Sequence, residues 1–132
     1  EAVFKTAPTP EVMRSWKELT TQYFLAYRLS FREDAERLAD LATFTKAHET
    51  VGQLGVLTQK YMFEVWNFAS PEIIQRFHEL KKCIVTGLLE AEYWHKQYEA
   101  TGSRDSLGKS VLGLERSISC AHKVLIEYQP PQ

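Results

Sequence analysis

The chain has 132 residues, enough for one domain with its own core and too few for several. Hydrophobic residues make up 44% and charged residues 25%, which excludes a disordered tail, a collagen-like repeat and a small cysteine-rich scaffold. Lys and Arg number 16 against 17 Asp and Glu, so the net charge of −1 lacks the basic surplus of a phosphate-binding protein, and no nucleic-acid partner is expected.

Residues 1–9 read as an N-terminal arm, and Glu1 in place of methionine is expected of a processed or trimmed chain. Thr9-Pro10-Glu11 combines an N-cap, a first-turn proline and a first-turn acid, which together start a helix. Val12, Trp16, Leu19, Tyr23 and Tyr27 then recur at steps of three and four, giving a first helix over 10–29. Ser30-Phe31-Arg32-Glu33 has the form of a capping box, and helical spacing from Leu38 to Val65 predicts a second helix over 31–68. Gly52 and Gly55 fall in its middle, where each costs about 1 kcal/mol against alanine. Either the helix breaks there or a neighbouring helix passes close to the missing side chains.

Ser70-Pro71-Glu72 repeats the start signal, and Ile73, Phe77, Leu80, Ile84, Gly87, Ala91, Trp94 and Tyr98 give a third helix over 71–100 in heptad rhythm. Gly102 suits a left-handed C-cap, and Ser103 or Ser106 caps a fourth helix over 104–128, stopped by Pro130-Pro131. The reading is all-α: an antiparallel four-helix bundle over 10–129, with five helices if the second breaks near Gly52-Gly55, and a tail over 130–132. No run approaches the roughly 20 apolar residues of a membrane span.

Chemistry has few footholds. Glu92-Tyr-Trp-His95 has the Glu-x-x-His form that di-iron bundles use, but it has no second copy, so its plain reading is a polar rim beside the core. No zinc-spaced Cys/His set, Gly-x-Ser-x-Gly or phosphate loop occurs, so neither a metal nor a cofactor is expected. Ala47-His48-Glu49-Thr50-Val51-Gly52 resembles the phosphoacceptor segment of histidine phosphotransfer domains, with Val51 where that family carries lysine. That resemblance implies a phosphotransfer role for His48. Arg116 and His122, six apart, resemble the Arg-x4–6-His signature of HEPN-type helical ribonucleases, which implies a nuclease using that pair.

Val85-Thr-Gly-Leu-Leu-Glu-Ala-Glu-Tyr-Trp-His-Lys-Gln-Tyr-Glu-Ala-Thr-Gly102 is similar to the third helix and hinge of a four-helix-bundle family. Its members are the proteins encoded in 23S ribosomal RNA intervening sequences and the accessory variability proteins of diversity-generating retroelements. Leu107 to Tyr128 matches the last helix of that family, so the resemblance covers the last third of the chain. It implies a ring-forming, non-enzymatic bundle.

Large rings are numerous for so small a bundle. Trp16, Tyr23, Tyr27, Tyr61, Trp66 and Trp94 are therefore candidate partner-binding residues, since aromatics are enriched at interfaces. The leading expectation is a non-enzymatic protein that binds protein partners or copies of itself, aided by the small residues Ala47, Gly52 and Gly55. The phosphotransfer and ribonuclease readings are its alternatives. Cys83 lies 19 residues before Gly102 and Cys120 lies 18 after it, so an antiparallel hairpin brings them to one height. The expectation is proximity, with a disulfide if the protein is exported.

Overall fold

The computed structural model describes residues 8–29, 35–66 and 74–130. Among them are four helices and no strand: α1 (Pro10–Leu29), α2 (Leu41–Val65), α3 (Ile74–Thr101) and α4 (Arg104–Glu127). The protein is an all-α four-helix bundle. At the start of α1 the backbone N–H groups of Val12 and Met13 donate to Thr9 O at 3.1 and 3.3 Å, with Pro10 in the first turn, where its missing N–H costs nothing.

The helix expected over 31–68 is shorter, and the Ser30–Glu33 box lies outside the described residues. A single 3-10 turn, Arg37–Ala39, precedes α2, and Asp40 caps it. The Asp40 carboxylate accepts the Thr43 N–H at 2.9 Å and the Thr43 hydroxyl at 2.8 Å. Those bonds, the backbone one foremost, hold its carboxyl below the usual carboxylate range. The physical reason for the late start is Leu38. Its side chain is fully buried while the Asp40 backbone is extended, so the chain turns between that plug and the helix. Past Asp40, α2 runs unbroken through both glycines, so the five-helix alternative does not form. A Cβ at Gly55 would stand 3.2 Å from Ile84 Cγ2, a neighbour passing close, whereas Gly52 opens on space.

The third helix spans Ile74–Thr101, and its expected start at Ser70-Pro71-Glu72 lies outside the described residues. Gly102 (φ +71°) ends it in the left-handed region, and its N–H donates to Tyr98 O at 2.7 Å. Ser103 then caps α4 by accepting the Ser106 N–H at 3.3 Å. This two-residue hinge sends α4 back along α3. Cys83 lies beside Cys120, Gly87 beside Ser117, and Ala91 beside Gly113. The helices touch through backbone there, because a Cβ on Gly113 would fall 2.7 Å from Ala91 N. Ser117 donates its hydroxyl to Ile84 O at 2.6 Å, and a disulfide joins Cys83 to Cys120 with Cα atoms 6.2 Å apart.

α1 packs on α2 and α4, α3 packs on the same two, and α2 also reaches α4 through the core. The buried rows follow the apolar spacing with some departures: Trp16, Tyr23 and Tyr98 are half-buried. Tyr27 and Leu41 are exposed, and His95 rather than Trp94 follows Ala91 inward.

Tyr61 lies in the centre, fully buried, and its hydroxyl donates to Tyr128 O. Burial, with the Glu64 charge second, pushes its pKa far above the ordinary 10. Burial pushes Tyr128 up to about 12. Below about pH 10 both forms of the protein keep these protons. Above it the unfolded tyrosines ionise first, so stability falls as pH rises toward the folded values. Denaturant titrations at about pH 9 and about pH 11 are expected to show that loss, and less of it in Tyr61→Phe. At about pH 9 the variant itself is expected to lose about 1–3 kcal/mol, because the buried Tyr128 carbonyl loses its donor.

Candidate functional site

The seam between α2 and α3 holds two apolar hollows among the described residues. Gly52 and Gly55 remove side chains from α2 where Ile84, Val85 and Leu88 of α3 face it, leaving a hollow of about 160 Å³. A second hollow of about 70 Å³ continues the seam between Met62, Phe63, Trp66, Phe77, His78 and Lys81. Both are below the roughly 300–1,000 Å³ of small-molecule sites. They suit the side chains of a docking partner better than a cofactor. Val56, Phe63, Trp66, Val85 and Leu89 stand exposed along this face, with Phe63 at 65% and Leu89 at 63%. Such a cluster of exposed apolar side chains makes this face a candidate contact surface.

Beyond the hollows the seam becomes polar. Leu41, Phe44, His48, Glu49, Glu92, His95, Lys96 and Glu99 border a pocket of about 320 Å³. His95 is buried and stacks on Phe44, with ring centroids 3.9 Å apart. Its Nε2 lies 2.9 Å from Leu38 O. A carbonyl only accepts, so the ring proton sits on Nε2. Glu99 Oε1 lies 3.8 Å from Nδ1. The polar rim expected of Glu92 and His95 is thus half wrong. Glu92 is exposed and pairs with Lys96 at 3.3 Å, while His95 fastens α3 to the turn before α2. No group of three or more His, Cys, Asp or Glu suited to a metal occurs among the described residues.

His48 is half-buried, with Nε2 directed at Leu88 O, 3.1 Å away. Glu49, Glu92 and Glu99 share its pocket, and Lys96 there is paired. This charge pattern opposes a phosphoryl group. Arg116 pairs with Glu90 of α3, whereas His122 stacks on Tyr23 of α1, centroids 4.9 Å apart. α4 therefore directs that pair at different neighbours.

The six aromatic candidates share no face. Trp16 packs against the core and its Nε1–H donates to Leu125 O at 3.2 Å. Tyr23 packs beside it, and Tyr27 is exposed with its ring centroid 5.9 Å from that of Tyr23. Tyr61 is in the core and cannot meet a partner. Trp94 is half-buried, with Lys109 Nζ 4.4 Å from its ring centroid. Trp66 alone of the six borders the apolar seam. Among the small residues, Ala47 is buried in the core, whereas Gly52 and Gly55 border the first hollow. Sequence reasoning missed Val56, Phe63, Val85 and Leu89. Their signal is apolar residues set beside the core rows around the helix, as Phe63 follows Met62 and Val85 follows Ile84.

No helix among the described residues is long and apolar enough to cross a membrane. No protein-family model, curated protein or solved structure matches this chain.

Proposed function

We propose that this chain is a non-enzymatic bundle protein that acts through protein contacts, including contacts with copies of itself. One observation carries the reading: the exposed apolar row Val56, Phe63, Trp66, Val85 and Leu89 along the α2–α3 seam. Leaving it in water forfeits about 25 cal/mol for each Å² of apolar surface, which a partner recovers. The resemblance of 85–102 to a ring-forming family points toward self-association too. The phosphotransfer alternative is less favoured because His48 already faces a carbonyl in an acidic pocket. The ribonuclease alternative is less favoured because Arg116 and His122 engage different helices. Sedimentation velocity over a dilution series tests the proposal. The expected result is a weight-average coefficient that rises with concentration. A monomer coefficient that stays constant to high concentration would count against self-association.

A further inference from the structure

The α2–α3 face carries opposite charge at its two ends. On α2, Glu49, Val56 and Phe63 are exposed at seven-residue steps. On α3, His78, Val85 and Glu92 repeat that spacing and exposure. Seven residues are two turns, about 10.5 Å, so each trio forms one stripe. The helices are antiparallel, with Gly55 against Ile84 and His48 against Leu88, so Val56 and Val85 stand nearly abreast. Glu49, Glu92 and Glu99 gather at one end of the face, where Lys96 offsets only Glu92. His78, Lys81 and Lys82 gather at the other. Neither lysine has an ion-pair partner among the described residues.

We infer that this face binds a second copy of the same chain about a two-fold axis crossing the helices at Val56 and Val85. This inference rests on the self-association reading and gives it a surface and a symmetry. A two-fold axis makes each copy offer the same patch, so the patch must complement itself. An axis lying along the helices lays like charge on like. An axis lying across them reverses the second copy and sets His78, Lys81 and Lys82 over its acidic end. The same operation lays Val56 on Val56 and Val85 on Val85 at the dry centre, with charge at the rim, where interfaces carry it. The area also fits. A helix of 25 residues is roughly 37 Å long, and two abreast are roughly 20 Å wide. That is roughly 700 Å², close to the 800 Å² or so that each partner contributes to a standard interface.

Reciprocal charge reversal tests the inference, read by sedimentation equilibrium with circular dichroism confirming the fold. One variant carries Lys81→Glu and Lys82→Glu, the other Glu49→Lys and Glu92→Lys. Each alone places like charge on like at both rims and is expected to weaken self-association about tenfold or more. Mixed in equal amounts, they are expected to restore a 1:1 pair, because acidic ends then meet basic ends. Variants that associate as the parent does, or a mixture with no recovery, would overturn the inference while the parent's own association stands. A parent assembling as a ring would overturn the two-fold and keep self-association. A parent that is monomeric throughout would overturn both.

Discussion

Replacing Gly113 by alanine is expected to destabilise the bundle by about 3 kcal/mol, the upper part of the range for overpacking. The new Cβ would lie 2.7 Å from both Ala91 N and Gly87 O, and both are backbone atoms of α3. Backbone cannot swing aside as a side chain does, so α3 and α4 must separate. That movement loosens the Ser117 bond to Ile84 O and the contacts beyond it. Gly87→Ala meets the same obstacle from the other helix, with Gly113 O at 2.6 Å. Gly108 supplies the control on α4. Nothing lies within 4 Å of its Cβ position, so alanine there gains helix propensity, up to about 1 kcal/mol. Urea titrations of the three variants check this. Equal small effects at Gly108 and Gly113 would mean that the two helices do not meet in this register.

Reducing the Cys83–Cys120 bond is expected to cost about 3–4 kcal/mol, from the entropy that the cross-link removes from the unfolded chain. The bond closes a loop with a sequence separation of 37, which encloses the Gly102 hinge and most of α3 and α4. For a domain of this size the loss corresponds to a melting temperature roughly 10 °C lower. Thermal melts with and without reductant measure it, and Cys83→Ala with Cys120→Ala should match the reduced protein. Cys120 is buried and Cys83 half-buried, so reduction is expected to be slow until the protein unfolds. Two thiols titrating in denaturant without reductant would show that the bond is not formed.

The fold was more legible than the surface. Thr9-Pro10, the Gly102 hinge and the capping Ser103 announce themselves because each satisfies its backbone by a local rule. Heptad rows likewise mark the core, since a helix buries a stripe whatever it packs against. The start of α2 at Leu41 is not legible in the sequence, because the buried Leu38 and the extended backbone at Asp40 that set it depend on tertiary packing. His95 was placed at a rim because its one strong partner, Leu38 O, is distant in sequence. Aromatic character is a poor guide to exposure. Trp16 and Tyr61 are large, but each has a carbonyl within reach of its polar atom and is drawn inward. Val56 and Val85 carry no polar handle and no size, and only the pairing of α2 with α3 shows that they share a face.

The proposed pairing of the bundle with itself through the α2–α3 seam is read out by light scattering on the eluting peak. Parent and Val85→Asp are compared at one concentration. Val85 is exposed, so the aspartate disturbs the centre of the proposed contact and leaves the core intact. The predicted result is twice the 15.3 kDa chain mass for the parent and a single chain mass for the variant. A single chain mass for the parent, or an unchanged pair in Val85→Asp, would rule out pairing through this seam.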